Sequence, residues 1–266
     1  MFQVKKQPDS NLRCLRMLLF VVVVTGAQVE TRRAVIKPII VGGSDTSIKD
    51  YTYQLSLEDI RKFKCSAIMI DEEWAITAAR CTYGVDRPTR RLTVHAGLAS
   101  VTEITGNRVS VKKILYYNYN KDTYENDIAV MKVYPGFYWS MHAIPMRTSP
   151  VEEGTTGVVL GWGKLQENGT YSGVSQKVSV TILNTDKCNK ILQDNGFGDK
   201  NHDGQICSMD DGKDVCQGNY GSPFIVDGKL AGMVSWGKGC GTEGNPIVYT
   251  EISYYYNWLK NVIAEG

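Results

Sequence analysis

This chain of 266 residues has three histidines and no long apolar run. Beyond its amino-terminal segment, basic residues do not outnumber acidic ones. The longest apolar run, Met17 to Val24, has eight residues, whereas a membrane-spanning helix needs about 20. From residue 40 onward, 23 basic side chains face 26 acidic ones, a net charge of −3. A membrane span and a nucleic-acid partner are therefore not expected. With 42% hydrophobic residues, the chain has enough apolar material for a buried core, which excludes disorder as its main state.

The amino-terminal segment has the organisation of a secretory leader. Basic residues precede the run Met17 to Val24, and the small residues Thr25-Gly26-Ala27 follow it. This pattern predicts a signal peptide over residues 1–27, with cleavage after Ala27. Residues 28–39 are polar and without periodicity, as in a short propeptide. We expect a secreted protein whose functional domain spans residues 40–266.

Short segments rich in Val, Ile, Thr and Tyr recur along that domain, with turn residues between them. This spacing favours an all-β barrel or sandwich, with strands expected at 91–94, 108–117, 156–160, 176–183, 230–236 and 247–252. Helical periodicity is clear only at the end of the chain, where Trp258, Leu259, Val262 and Ile263 form one apolar stripe. One terminal helix is therefore predicted.

Five motifs follow in a fixed order and carry a resemblance to the trypsin and chymotrypsin-like serine proteases over residues 40–266. They are Ile40-Val41-Gly42-Gly43, Thr77-Ala78-Ala79-Arg80-Cys81, Asp127-Ile128-Ala129-Val130, the segment Cys216 to Pro223, and Val234-Ser235-Trp236-Gly237. The resemblance implies a double six-stranded antiparallel β-barrel with a cleft between the barrels. It also implies three disulfides, which pair Cys65 with Cys81, Cys188 with Cys207 and Cys216 with Cys240. Six cysteines in the domain fit an oxidising compartment.

The catalytic residues depart from this family. Acyl transfer there needs a serine nucleophile, a histidine base and an aspartate that orients the base, and only the aspartate, Asp127, is present. Arg80 stands at the histidine position, and a guanidinium cannot accept a proton at physiological pH. Tyr220 stands at the serine position, where a phenol without a base is no nucleophile. The three remaining candidates for a base, His95, His142 and His202, lie outside the family's motifs and are expected to be surface or strand residues.

The surroundings of the triad positions differ as well. Asn219 replaces the aspartate that pairs with the freed amino group of Ile40 in active relatives, and an amide cannot form an ion pair. Asp214 is kept at the floor of the specificity pocket, but Ile247 replaces a wall glycine and should fill the pocket. Gly218, the oxyanion-hole glycine, is kept. At the activation site Ile39 replaces the usual Lys or Arg, so cleavage would need a protease of another specificity.

Other signals are weaker. Asn168-Gly169-Thr170 is a glycosylation sequon. Residues 199–204 match the first half of a calcium loop, with Asp210 at the twelfth position, but flanking helices are not expected and we interpret the segment as a polar turn. No cofactor or metal is therefore predicted. Four tyrosines, at 116, 117, 119 and 124, border the expected cleft and either form a binding surface or simply suit strands.

Three functional classes compete: an active endopeptidase, an inactive homologue that binds another protein, and a structural or storage protein on the same scaffold. Loss of two triad residues argues against the first. The segments Gly161 to Glu167 and Gly212 to Asp214 resemble the mite group 3 trypsin allergens, and loss of several triad residues is typical of the inactivated serine protease paralogues of the scabies mite. That resemblance implies a secreted pseudoenzyme that binds host complement components. A regulatory or decoy pseudoprotease without complement activity is the alternative.

Overall fold

Two antiparallel β-sheets and a carboxy-terminal helix make up the described part of this computed structural model, which covers residues 43–138, 140–163, 170–197, 202–210, 219–237 and 244–266. The strands of the first half are β1 (Ser44–Asp45), β2 (Gln54–Asp59), β3 (Lys62–Asp71), β4 (Trp74–Thr77), β5 (Leu92–Ala96), β6 (Asn107–Tyr116) and β7 (Ala129–Tyr134). Those of the second half are β8 (Thr156–Gly161), β9 (Gln176–Thr181), β10 (Gln205–Ser208), β11 (Pro223–Val226), β12 (Lys229–Gly237) and β13 (Ile247–Glu251).

The first sheet closes into a six-stranded barrel in the order β2-β3-β4-β7-β6-β5. Alternate side chains of each strand point to one face, and those of Leu55, Leu57 and Ala67 are fully buried in the barrel core. Closure leaves no free strand edge.

The second sheet has the order β1-β9-β8-β11-β12-β13-β10, in which β1 is a two-residue addition beside β9. A bridge between Ile182 and Ser208 joins the end of β9 to β10, and the Leu183 N–H donates to the Cys207 carbonyl oxygen at 2.8 Å. The six long strands therefore curl round a second core that contains Phe224 and Tyr249. The expected double-barrel fold is confirmed.

The carboxy-terminal helix is also confirmed as α3, Ile252–Glu265, with Tyr255 and Leu259 buried. The expectation that helix occurs only there is wrong, because a short helix α1 spans Pro88–Arg91 and a longer one, α2, spans Thr185–Asp194. Helix α2 is polar over most of its length and buries only Cys188 and Leu192, so it has no long apolar stripe that would predict it. Its start is fixed by Asn184, whose Oδ1 accepts the N–H groups of Asp186 and Lys187. No helix among the described residues is long and apolar enough to cross a membrane.

Candidate functional site

Asp127 is the centre of the candidate site and has a fully buried carboxylate. It lies just before β7, where the turn Asn126 to Ile128 leads the chain into the first barrel. The Arg80 backbone N–H donates to Oδ1 at 2.8 Å, and the Ser235 hydroxyl, from β12, donates to Oδ2 at 2.7 Å. Thr250 of β13 donates to the Asp127 backbone carbonyl at 2.9 Å. Both sheets thus hold this residue in place.

Arg80 lies beside Asp127 because β4 ends at Thr77 and the chain turns through a single 3-10 turn, Ala79–Cys81. Its Nε is 3.2 Å from Asp127 Oδ2, and its side chain is only 17% exposed. The guanidinium carbon is 3.8 Å from the centre of the Tyr124 ring and 5.0 Å from that of Tyr220. Among the described residues, buried Nε and Nη2 of Arg80 form no hydrogen bond. Charge and cation–π contacts therefore hold this guanidinium.

Burial raises the pKa of the Asp127 carboxyl above its ordinary value, and the Arg80 guanidinium, two backbone N–H groups and the Ser235 hydroxyl act against that rise. Burial likewise raises the pKa of the nearby Tyr119 phenol to about 12, with a further rise from the Asp127 charge. Tyr119 thus stays a neutral phenol at physiological pH. The described part of the site thus holds the Arg80–Asp127 ion pair, with the rings of Tyr124 and Tyr220 against the guanidinium.

Tyr220 lies between the two barrels, with its partly buried ring against both hydrophobic cores. Its carbonyl oxygen accepts the Ser66 N–H at 2.9 Å, which ties the site to β3. Its neighbour Asn219 is fully buried, and the amide oxygen accepts the Gly163 N–H at 2.9 Å. A Cβ at Gly161 or Gly163 would overlap the Asn219 side chain, so these two glycines make room for it.

The structure thus brings the three predicted triad positions, Arg80, Asp127 and Tyr220, into one cluster. Ile247 is 5% exposed and belongs to the second core; that it fills the specificity pocket stays a prediction. Several residues named in the predictions lie outside the described residues, and the predictions about them stay open: the leader and Ile40, Asn168, Asp214, Cys216, Gly218, Cys240 and residues 199–201. Asp210, at the twelfth position of the calcium-loop pattern, accepts the Thr181 N–H at 2.8 Å.

Two of the three predicted disulfides are confirmed, Cys65–Cys81 and Cys188–Cys207. The first joins β3 to the turn that carries Arg80, so it fixes the position of this side chain. The second joins α2 to β10.

None of the three histidines contacts Asp127 within the part of the chain that the structure describes. His142 is exposed, and His202 is partly buried near Gln205. His95 of β5 is fully buried, with Nδ1 2.9 Å from Glu58 Oε1 and Nε2 2.6 Å from the Thr105 carbonyl oxygen. Glu58 also accepts from Arg108 at 2.8 and 3.2 Å. This buried polar cluster in the first barrel was not anticipated.

The tyrosines near the site separate into two groups. Tyr116 and Tyr119 make edge contacts with Tyr83, which is 49% exposed. Tyr117 instead packs against Tyr255 and Trp258 of α3, so it supports the helix and does not belong to the exposed surface. We call Tyr83, Tyr116 and Tyr119 the tyrosine patch. Its central residue, Tyr83, was missed by the sequence analysis, although it follows Cys81 by only two positions.

The role of Ser235 was not predicted, because nothing in a strand sequence tells which carboxylate its hydroxyl reaches. Tyr124, one of the four tyrosines expected to border the cleft, stacks on Arg80 and has a left-handed backbone with φ of 61°.

Neither of the two grooves that were found among the described residues, of about 430 and 440 Å³, is lined by Arg80, Asp127 or Tyr220. In the same residues no group of three or more His, Cys, Asp or Glu could hold a metal ion.

Comparison with known proteins gives a consistent family. The family model described as Trypsin matches residues 40–259. Trypsin-1 of Astacus astacus is 35% identical over 237 residues, which cover 83% of this chain and 98% of the relative. Trypsin eta of Drosophila melanogaster is 34% identical over 233 residues, 83% of this chain and 87% of the relative. A solved structure of neuropsin, a serine protease expressed in the limbic system of mouse brain, superposes with a TM-score of 0.74 at 23% identity and covers 83% of this chain and 98% of its own.

Proposed function

Because this chain belongs to the trypsin family of serine proteases, we propose that it is a secreted, catalytically inactive member that acts by binding another protein. One observation carries the proposal. At the two positions where the family has its base and its nucleophile, this chain has Arg80, which pairs with the buried Asp127, and Tyr220, whose ring lies 5.0 Å from the Arg80 guanidinium carbon.

The chemistry of these side chains supports inactivity. A permanently charged guanidinium cannot take a proton from a nucleophile, and the cation–π contacts with Tyr124 and Tyr220 occupy the space beside Asp127. Two observations favour an active protease: the relatives are named trypsins, and the chain retains Asp127 with its Ser235 partner. An aspartate that already pairs with Arg80 has no histidine to orient.

The partner that we propose is a component of host complement. Support comes from the resemblance of the sequence to the inactivated mite paralogues, from the predicted leader, and from two disulfides, which fit an extracellular protein. A protein partner needs about 800 Å² of surface on each side. The tyrosine patch beside the closed site offers rigid aromatic rings that lose little entropy on docking.

Hydrolysis and binding are tested separately. The purified domain, residues 40–266, should neither cleave peptide and ester substrates nor be labelled by a serine-directed phosphonate. Either reaction would overturn the claim of inactivity.

For binding, the domain should reduce haemolysis by human serum at micromolar concentration. The variant Tyr83→Ser should weaken that inhibition, whereas Tyr138→Ser, at another tyrosine that is 59% exposed, should not. Undiminished lysis with the parent domain would remove the complement claim. Equal inhibition by both variants would support the complement claim but would show that the binding surface lies outside the tyrosine patch.

A further inference from the structure

The hairpin between β2 and β3 has a turn whose residues conflict with its backbone. Asp59 pairs with Lys62, so Ile60 and Arg61 form a two-residue loop, and their φ angles are 50° and 60°. Tight hairpins with two positive φ angles prefer Asn-Gly or Asp-Gly. A β-branched residue such as isoleucine is strained in this region.

The same chain contains the favourable solution elsewhere. Val226 pairs with Lys229 across the β11–β12 hairpin, and its two loop residues, Asp227 and Gly228, have φ angles of 50° and 71°. Two turns of the same length and the same handedness thus have opposite sequence chemistry. In the first turn, Ile60 and Arg61 are residue types that this backbone conformation does not favour.

The disfavoured side chains are presented to solvent beside several cations. Ile60 is 65% exposed, and it lines a groove of about 440 Å³ together with Asp59, Lys62, Phe63, Lys64 and Arg91. Arg91 donates two hydrogen bonds to the Asp59 carboxylate, from Nε at 2.9 Å and from Nη2 at 2.6 Å. The Nζ of Lys64 lies 3.7 Å from the same carboxylate. The edge of the groove continues into an aromatic contact between Phe63 and Tyr171, whose ring centres are 5.0 Å apart.

Charge at this hairpin is opposite to that of the domain. Residues 40–266 carry a net charge of −3, whereas the groove is lined by Lys62, Lys64 and Arg91 with one carboxylate, Asp59, and the turn adds Arg61. Lys62 and Arg61 are exposed. Such a local positive field attracts an acidic partner over a distance of about 10 Å.

We propose that the β2–β3 hairpin is a docking surface for an acidic polypeptide segment that also carries apolar side chains. The cations would pair with its carboxylates, while Ile60, Phe63 and Tyr171 would contact its apolar groups. A sulfated polysaccharide would use the cations alone and would leave the exposed isoleucine without a role. The inference rests on the proposed function in taking binding as the activity of the domain, but it concerns a surface separate from the tyrosine patch.

The test uses the domain of residues 40–266 and a fluorescein-labelled peptide built of repeated Glu-Glu-Phe units, with binding followed by fluorescence anisotropy. The parent should bind, and affinity should fall when the salt concentration rises from about 50 to about 300 mM. Lys62→Glu should weaken binding at least about tenfold, because it reverses one contact and adds repulsion. The matched variant Lys229→Glu, next to the Asp227-Gly228 turn, should bind as the parent does.

A second variant separates binding from folding. Ile60→Asn with Arg61→Gly should lose about tenfold or more in affinity and should melt at a higher temperature than the parent, because its turn is relaxed. A failure to fold therefore cannot explain the loss. The proposal is overturned if the parent does not bind the peptide, if both turn sequences bind equally, or if heparin binds with the same dependence on Lys62 while the peptide does not. None of these outcomes affects the hydrolysis test of inactivity.

Discussion

A buried carboxylate is tolerated only when it is paired and hydrogen-bonded, and Asp127 shows how far this chain satisfies that condition. It has two hydroxyl or backbone donors within 2.8 Å and a guanidinium at 3.2 Å. In the family's active members a histidine occupies this place. Here Arg80 supplies a full positive charge, which changes the role of the aspartate from orienting a base to neutralising a cation.

Removal of that cation should destabilise the domain in a pH-dependent way. Arg80→Leu leaves Asp127 buried and unpaired, and we expect a loss of about 3 to 5 kcal/mol at pH 7. Burial already raises the folded-state pKa of Asp127 above its unfolded value, so stability falls as the pH rises through that interval. Without Arg80 the folded pKa rises further, and the gap between variant and parent should grow from acid toward neutral pH. Urea unfolding at about pH 4 and pH 7 measures this.

The control for this experiment is Arg80→Leu combined with Asp127→Asn, which removes the charge that lacks a partner. This double variant should recover part of the stability at pH 7. If Arg80→Leu loses the same stability at both pH values, its effect comes from lost packing with Tyr124 and Tyr220 and not from charge.

Glu58 presents the opposite pH dependence. Burial opposes its ionisation, but the hydrogen bonds and charges of Arg108 and His95 outweigh this and lower the pKa of Glu58 below its ordinary value. Its contribution is therefore present above the unfolded pKa and is lost as the pH falls through the folded pKa. Glu58→Gln should cost about 3 kcal/mol at pH 7, and the difference from the parent should shrink in stronger acid. A difference that stays constant down to about pH 2 would show that the charge of Glu58 is unimportant.

At the scale of elements, the two hairpin turns allow a reciprocal test of backbone strain. Ile60→Asn with Arg61→Gly should raise stability by about 1 to 2 kcal/mol, because both loop residues have positive φ angles. For a domain of this size that is a rise of several degrees in melting temperature, about 2 to 4 °C per kcal/mol. Differential scanning calorimetry gives the value.

The converse exchange is Asp227→Ile with Gly228→Arg, which places the disfavoured pair on the β11–β12 hairpin. Its melting temperature should fall by a similar amount, because the two turns have similar φ angles. Should neither exchange change the melting temperature, the idea of strain at Ile60 and Arg61 fails.

At the scale of the whole molecule, the inactivity that we propose depends on more than the triad positions. Restoration of the two residues by Arg80→His with Tyr220→Ser should leave kcat/KM at least about a hundredfold below that of an active trypsin, because oxyanion stabilisation alone contributes that much. Asn219 lacks the charge that would order the oxyanion loop, and Ile247 is packed in the second core. Hydrolysis of an arginine ester substrate measures the difference.

Further substitutions, at Asn219 and Ile247, serve as the control. Addition of Asn219→Asp and Ile247→Gly to the double variant should raise kcat/KM. A double variant that reaches trypsin-like turnover without them would contradict the proposal that Asn219 and Ile247 also prevent catalysis.

The class of fold and its family follow from the sequence alone, and the motifs point to the residues of the candidate site. Segments rich in Val, Ile, Thr and Tyr predicted β5, β6, β8, β9, β12 and β13 with ends correct to within two residues, because strand propensity is largely a local property. Helix α2 was not predicted, because it buries only two residues and has no long apolar stripe. Motif order identified Arg80, Asp127 and Tyr220, because the family places its chemistry at those positions.

The contacts among these residues depend on the folded structure and could not be predicted from the sequence. The pairing of Arg80 with Asp127, the stacking of Tyr124 on the guanidinium and the hydroxyl of Ser235 join parts of the chain that lie up to 108 positions apart. The same holds for Glu58, His95 and Arg108, which three neighbouring strands bring together. Local sequence patterns record which face of a strand is buried, but the contacts across that face depend on strand order and register. The physical reason is that burial and pairing of charge are properties of the folded barrel and not of any single segment.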